Sequence, residues 1–300
     1  MSRAQANLVL LLAAVIWGAS FSVQKMGAAH LGALTFTAAR LVLGAIVVAP
    51  VAWLECRRRG GIPRRHWLGL VATGLALCGG AVMQQMGIHG TSVTNAGFLT
   101  GLYVPLVPFI GLLVQGIRPH PVVWPAAILS LIGTWMLSGG GAVDLALGDV
   151  WVIGGAVFWA CHVILVGRMA MATGMPTTVA LVQFSLAGVV SGVLAGALEP
   201  VSVAILQAAW FEIAFVGILS VGVAFTLQSV AQRYTHAADA AVILSAETVF
   251  AAIGAMLVLG ERPTLLSLSG CTAILAAMLA VQLGPQYLTP QQPPSRPSRT

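Results

Sequence analysis

The segment AVIWG at residues 14–18 recurs as AVFWA at residues 156–160, which is 142 positions later. Two further pairs follow in the same order at an offset of 144, namely TSVTN at 91–95 with THAAD at 235–239 and GIRP at 116–119 with GERP at 260–263. Because the order of the matches is kept along most of the chain, we interpret the sequence as two copies of one unit. That interpretation decides the fold.

The composition indicates a membrane protein. Hydrophobic residues make up 58% of the chain, charged residues 7%, and the mean hydropathy is +0.95, whereas soluble domains carry roughly 25% charged residues. The pI of about 9.8 does not indicate a nucleic-acid partner, because the arginines cluster at the ends of apolar stretches and form no extended basic face. The four cysteines lie far apart, without a CxxC pair, so we predict packing roles, no metal and no cofactor.

Ten apolar stretches are candidates for membrane-crossing helices, which need about 20 residues each. We predict an all-α integral membrane protein with spans 1 to 10 at Leu8–Ala29, Ala33–Leu54, His66–Met86, Thr94–Val114, Val122–Leu137, Asp149–Met171, Thr177–Leu198, Ala208–Gln232, Ala237–Leu259 and Leu265–Leu283. Spans 5 and 10 are the shortest. Each copy holds five spans, an odd number, so the second copy must cross in the opposite sense. Two inverted five-helix repeats around a midplane site are typical of secondary transporters.

The charges orient these spans. If the N-terminus is cytoplasmic, eleven arginines lie inside (Arg3, Arg57, Arg58, Arg59, Arg64, Arg65, Arg118, Arg168, Arg233, Arg296 and Arg299), against two outside cations, Lys25 and Arg262. The positive-inside rule therefore predicts that both termini are cytoplasmic. The acids Asp144, Asp149, Glu199, Glu212 and Glu261 fall outside on the same topology.

The unit boundaries follow from the spans. We expect the first repeat at 1–140 and the second, inverted repeat at 141–284. Residues 285–300, rich in Pro, Gln, Ser and Arg, are expected to form a disordered cytoplasmic tail.

The repeat also aligns polar and aromatic residues inside the predicted spans. The aligned pairs are Trp17 with Trp159, Arg40 with Gln183, Gln84 with Gln228, and Tyr103 with Glu247. Polar groups at membrane depth face a bundle interior or a water-filled cavity, since lipid cannot satisfy them. We therefore predict one central substrate cavity lined from both halves.

The tracts SVTNAGFLTGLYVPLVP at Ser92–Pro108 and SAETVFAAIGAMLVLGERP at Ser245–Pro263 resemble the EamA-type carriers of the drug/metabolite transporter superfamily. The first tract is most similar to the branch that contains the aromatic amino-acid exporter YddG. The resemblance covers nearly the whole chain. It implies a basket of ten helices in which spans 1 to 4 and 6 to 9 surround the cavity, and it implies outward metabolite transport across a bacterial inner membrane. One departure is Thr248, where such carriers often have proline, and this puts a bend in span 9 in doubt.

Two charged residues have alternative roles. Arg40 either holds a substrate carboxylate with its planar fork or pairs with Glu247 or helix-end carbonyls. Glu247, deep within span 9, either carries a proton or is the partner of Arg40. The sequence leaves both choices open, with the structural role favoured for each.

The remaining candidates carry weaker signals. Trp17, Trp159 and Tyr103 suit stacking on a substrate or ordinary packing. His162 lies one turn from Trp159 and either contacts substrate or is a core histidine, and His89 is a candidate gate. Span 4 carries Pro105 and Pro108, which we expect to bend it and to flex as the cavity switches sides.

We therefore predict a secondary transporter that exports amino acids, aromatic or other neutral ones, or similar small metabolites by alternating access. A carrier of drugs or phosphorylated metabolites of the same superfamily is the alternative. An intramembrane enzyme is a remote alternative, because no protease or metal motif is present. The expected partners are a small-molecule substrate and the lipid bilayer, with a monomer or a homodimer both compatible.

Overall fold

The computed structural model describes residues 1–116, 118–137, 139–141, 146–259 and 264–288. Its helices are α1 Arg3–Gly27, α2 Ala33–Arg59, α3 Trp67–Gly90, α4 Val93–Thr100, α5 Tyr103–Gln115, α6 Val123–Leu137, α7 Leu147–Thr173, α8 Pro176–Leu198, α9 Val203–Ala208, α10 Trp210–Phe215, α11 Thr226–Ala231, α12 Ala237–Leu244, α13 Glu247–Leu259 and α14 Leu265–Leu288. A π-helical segment, Val216–Phe225, joins α10 to α11. Asp144, the second GERP motif and the tail beyond residue 288 lie outside the described ranges.

Nine helical stretches among the described residues are long and apolar enough to cross a membrane. They correspond to nine of the ten predicted spans, and the remaining one, span 5, is the shorter apolar helix Val123–Met136. The apolar part of span 10 is Leu265–Gly284, close to the predicted Leu265–Leu283, and it lies within the 24-residue helix α14. That helix continues through Pro285, where the tail was predicted to begin.

Span 4 is divided into α4 and α5 at Gly101 and Leu102. Pro105 accounts for the break, because it has no N–H to donate to the carbonyl of Gly101 and its ring clashes with that carbonyl. The predicted bend is therefore displaced by one turn. Pro105 and Pro108 both lie within α5, and the chain changes direction ahead of them.

Span 9 is divided in the same way at Ser245 and Ala246, between α12 and α13, although no proline follows. Hydroxyl groups act instead: Thr248 Oγ1 donates to the carbonyl of Ser245 at 2.8 Å, and Ser245 Oγ donates to the carbonyl of Val242 at 2.6 Å. Side-chain hydroxyls that bond carbonyls of the preceding turn compete with the backbone ladder and bend helices. Span 9 is therefore interrupted directly before the position where Thr248 replaces the usual proline.

Three long helix pairs pack antiparallel: α3 with α7, α2 with α8, and α6 with α14. In the first pair, Gly69 at the start of α3 lies against Met169 at the end of α7, and Gly87 at the end of α3 lies against Val152 near the start of α7. A side chain at Gly87 would strike Val152 and the α7 backbone, so glycine permits this close approach. Each pair joins one helix from the first half of the chain to one from the second half.

Helices α2 and α8 cap each other at both ends. Glu199, directly after α8, accepts hydrogen bonds from the backbone N–H groups of Leu34 and Thr35 at 2.9 and 2.8 Å and from Thr35 Oγ1 at 2.7 Å. Glu55, in the last turn of α2, accepts from the N–H of Thr178 at 2.7 Å and from its Oγ1 at 2.8 Å. A carboxylate satisfies the free N–H groups of a helix start and the positive end of its dipole. The reciprocal caps therefore hold the pair in its antiparallel register.

Removing either carboxylate is expected to destabilise the protein. Glu55→Ala and Glu199→Ala should each lower the free energy of unfolding by about 1–2 kcal/mol, since helix-start N–H groups lose their acceptor. The two effects should add, because the caps lie at opposite ends of the pair. Thermal unfolding in detergent, followed by circular dichroism, measures them. Ser202→Ala is the control, since it removes a 3.3 Å cap from the exposed, six-residue helix α9, and an equal loss in this control would contradict the account.

Candidate functional site

Helices from both halves of the chain meet around one buried cavity. Eight of the nine residues predicted as cavity-lining lie around this cavity, namely Trp17, Arg40, Gln84, Tyr103, Trp159, His162, Gln228 and Glu247, and their role toward a substrate stays a prediction. The ninth, Gln183, lies behind this wall, where its Oε1 is 2.8 Å from His162 Nε2. The structure thus brings three of the four aligned pairs to a single cavity, and of the fourth pair only Arg40 lines it.

Aromatic rings form one wall of the cavity. Phe225 stands at its centre, with ring centroids 4.6 Å from Trp17, 5.8 Å from Trp159 in a stacked arrangement, and 6.1 Å from Phe184. The indole N–H of Trp17 donates to the carbonyl of Ser220 at 3.2 Å. Both Ser220 and Phe225 belong to the π-helical segment, a rare geometry that is frequent at functional sites. The wall is therefore apolar and tightly packed.

The sequence prediction missed Phe225. A signal was available, because Phe225 precedes Gln228 by three residues and so shares its helix face. The π-helical geometry of this segment, by contrast, has no counterpart in the regular helix α3 of the first half.

Arg40 is buried, with 5% of its surface exposed, and is held by neutral groups. Its Nη1 donates to Gln24 Oε1 and its Nη2 to the carbonyl of Ala81 at 3.3 Å, while the guanidinium lies 5.5 Å from the centre of the Phe36 ring. Among the described residues the single ion pair is that of Arg3 with Asp239. Arg40 and Glu247 therefore do not pair in this structure.

Glu247 and Tyr103 occupy equivalent places in the two halves. Each is the first residue of the helix that follows a break, Tyr103 in α5 and Glu247 in α13. Both side chains line the cavity with about 5% of their surface exposed. No hydrogen bond to either side chain is present among the residues described. The phenol of Tyr103 and the carboxyl group of Glu247 therefore lie at equivalent helix starts and line the same cavity.

Several polar atoms around the cavity have no hydrogen-bond partner within the described part of the chain. They are Arg40 Nε, Trp159 Nε1, His162 Nδ1, and both the Nε2 and Oε1 of Gln228. Gln84, by contrast, donates to Thr100 Oγ1 at 3.0 Å. An unmet buried polar atom costs about 1–3 kcal/mol, so these atoms are ready to bond a polar ligand or water.

The cavity is small, with a volume of about 50 Å³. A water molecule needs at least about 10–15 Å³ measured in this way. The space therefore suits a few waters, and a larger solute requires the surrounding helices to move. No three His, Cys, Asp or Glu side chains of the described residues lie close enough together to hold a metal ion.

The three predicted gating residues lie apart from this cavity. Pro108 lines a second, larger cavity at the arginine-rich end of the molecule. Pro105 lies in the first turn of α5, four residues after Gly101. His89 lies at the opposite end: its Nδ1 is 2.8 Å from the carbonyl of Gln85, and its Nε2 is 3.0 Å from the carbonyl of Leu31. His89 thus ties the end of α3 to the loop between α1 and α2.

Comparison with known proteins places the chain in a family. The model of the EamA-like transporter family matches residues 4–139 and again residues 146–282. An uncharacterized transporter of Archaeoglobus fulgidus is 28% identical over 291 residues, covering 94% of this chain and 87% of the relative. The threonine/homoserine exporter RhtA of Escherichia coli K12 is 29% identical over 290 residues, covering 92% and 90%.

A solved crystal structure shares the fold, with a TM-score of 0.77 at 20% identity over 94% of this chain and 97% of the other. The chain belongs to the EamA-like transporter family and is a multi-pass transmembrane transporter. The resemblance seen in the sequence is confirmed at this level, whereas no comparison singles out the branch of aromatic amino-acid exporters.

The buried pair of His162 and Gln183 offers a test of the site's architecture. Gln183→Leu should lower the free energy of unfolding by about 1–3 kcal/mol, because it leaves His162 Nε2 buried without a partner. Adding His162→Leu should restore part of the loss, since no stranded polar group then remains.

Denaturant or thermal unfolding of the single and double variants in detergent gives the coupling energy. Gln207→Leu, at an exposed glutamine of α9, is the matched control and should change little. Strictly additive losses at His162 and Gln183 would mean that the 2.8 Å contact contributes nothing.

Proposed function

We propose that this EamA-like transporter exports small neutral amino acids by alternating access of the central cavity. The observation that carries the proposal is the buried cavity itself, which has one aromatic wall and is lined by a guanidinium and a carboxyl group without ion-pair partners in the described structure, together with several hydrogen-bonding atoms that lack partners there. Polar groups are expensive at membrane depth and are retained where a polar solute passes. That the family and the relatives are transporters favours transport over catalysis.

The charges in the cavity suit a zwitterion. Arg40 offers a guanidinium fork to a substrate carboxylate, and Glu247 and Tyr103 offer oxygens to its ammonium group. A phosphorylated metabolite would require several cations, and Arg40 is the one arginine or lysine among the lining residues. Lys25 lies elsewhere, bonded to the carbonyls of Ile88 and Thr91 at 2.6 and 2.9 Å. Carriers of phosphorylated compounds therefore remain the less supported alternative.

The size of the cavity favours substrates with short side chains. Phe225, Trp17 and Trp159 already fill the apolar wall, and the space that remains is about 50 Å³. Threonine or homoserine as the substrate is supported by the similarity to the exporter RhtA, whose sequence aligns with nearly the whole chain. An aromatic substrate would have to displace more of this wall than a small hydroxyl amino acid does.

We infer that the chain is built from two inverted five-helix repeats. The family model matches once in each half, and the antiparallel packing of α2 on α8, α3 on α7 and α6 on α14 is the arrangement that inversion produces. With both termini cytoplasmic, as the arginines predict, the arginine-rich end faces the cytoplasm. A bacterial inner membrane is the location consistent with this topology and with the bacterial relative.

Two equivalent side-chain contacts, here called latches, lie at the two ends of the helix bundle. At one end Thr91 Oγ1 donates to Asp149 Oδ1 at 2.6 Å, and at the other Thr235 Oγ1 donates to Asn7 Oδ1 at 3.1 Å. Thr91 and Thr235 occupy matching places in the repeat. We propose that these latches open in turn while α5 and α13 pivot at the breaks ahead of Pro105 and Thr248, with His89 releasing the loop it holds.

Arg40→Lys tests the role of the guanidinium. The lysine keeps the charge but loses the planar fork, so counterflow of labelled threonine or homoserine in proteoliposomes should fall about tenfold. Arg58→Lys, at an exposed arginine of α2, is the control and should transport normally. Wild-type counterflow in the Arg40 variant, with the protein folded and reconstituted equally, would rule out this binding role.

Glu247→Gln tests whether the free carboxyl group carries a proton. Because Glu247 has no ion-pair partner in the described structure, we propose that it exchanges a proton during the cycle, and transport that depends on pH in the wild type should become independent of pH in the variant. Initial export rates across a range of pH, with equal pH on both sides, provide the measurement. An unchanged pH profile in the variant would eliminate Glu247 as the proton carrier.

A further inference from the structure

A second cavity, separate from the central one, opens at the arginine-rich end of the molecule. Its volume is about 900 Å³, and it lies between α5, α7 and the start of α12. None of its lining residues lines the central cavity. It is large enough for a ligand much bigger than an amino acid.

Three of the four charged residues that line this second cavity are arginines, and two of these have no ion-pair partner among the described residues. Arg118 and Arg168 line it, both are exposed, and neither has a hydrogen-bond or ion-pair partner among the described residues. Arg3 also lines it but is bound to Asp239 at 2.8 Å. His120 and His236 complete the polar rim. Two free guanidinium groups in one concave site favour a phosphate or another compact anion.

The rest of the wall is apolar and continues into the membrane-crossing helices. On α5, Val107 is buried and Val114 is 76% exposed, and on α7, Ile164 is buried and Met171 is 56% exposed. Val107 and Val114 are seven positions apart, as are Ile164 and Met171, so each pair lies on one helix face. The cavity is therefore charged at its rim and apolar along its depth.

We propose that this second cavity binds an anionic phospholipid, with Arg118 and Arg168 on the phosphate group and an acyl chain along α5 and α7. A soluble phosphate compound would use the rim alone and leave the apolar wall uncovered. An amphiphile covers both, and basic pockets between membrane helices on the cytoplasmic side are suited to anionic headgroups. The second cavity is then a lipid site beside the latch between Thr235 and Asn7, since Thr235 is one of its lining residues.

Native mass spectrometry of the full-length protein in detergent tests the proposal. Titration with phosphatidylglycerol should give binding about tenfold tighter than with phosphatidylcholine, because the anionic headgroup adds two charge-assisted contacts. Arg118→Gln with Arg168→Gln should reduce phosphatidylglycerol binding to the phosphatidylcholine level, and each single variant should give an intermediate loss. Arg58→Gln with Arg64→Gln removes two exposed arginines that do not line the cavity and should leave the preference intact.

A competition arm separates a lipid from a free phosphate. A large molar excess of glycerol phosphate, which has the headgroup chemistry without acyl chains, should not displace the lipid. Displacement by glycerol phosphate would assign the site to a soluble phosphate compound and overturn the lipid proposal. Equal binding of both lipids, or full phosphatidylglycerol binding by the Arg118 and Arg168 variants, would overturn it as well. None of these readouts depends on amino-acid transport.

Discussion

The reciprocal carboxylate caps between α2 and α8 are the interaction on which the arrangement depends. Glu199 accepts hydrogen bonds from the first backbone N–H groups of α2, and Glu55 accepts one from the first turn of α8. The N-terminus of each helix is thus capped by a carboxylate at the C-terminal end of the other. In a bundle surrounded by lipid, apolar packing alone does not distinguish one vertical register from another, because lipid is as apolar as the helix surfaces. Two polar contacts at opposite ends fix both the direction and the register. The central cavity, with Arg40 on α2, takes its position from this pair.

Different side chains produce the same break in the two halves. In span 4 a proline removes a backbone donor, and in span 9 the hydroxyls of Ser245 and Thr248 occupy backbone carbonyls. Ser130 Oγ of α6 also donates to Ser245 Oγ at 2.8 Å, so the break in span 9 is hydrogen-bonded to a neighbouring helix. The two breaks are therefore equivalent in place, and the break in span 9 carries one additional hydrogen bond to a neighbouring helix.

The internal repeat allowed much of the site to be predicted. Aligning the halves selected Trp17 with Trp159 and Gln84 with Gln228, because polar or aromatic residues kept at matching depths share one cavity. The alignment of the two halves did not predict which distant parts of the chain contact each other. Gln24 as the partner of Arg40, and Glu55 as the cap of α8, depend on which helix faces which, and hydrophobic periodicity reports burial without naming the neighbour. The π-helical geometry of residues 216–225 was not predicted either, because span prediction assumes the periodicity of a regular α-helix.

The central claim is that the two halves cross the membrane in opposite senses around the cavity. The most direct measurement is thiol labelling in intact cells, with Arg58→Cys and Val201→Cys introduced one at a time after the four native cysteines are replaced. Both positions are exposed, one at the end of α2 and the other just after α8. A membrane-impermeant maleimide should label position 201 from outside and position 58 only after the membrane is permeabilised. Labelling of both positions from the same side would contradict the inverted architecture and the transport mechanism built on it.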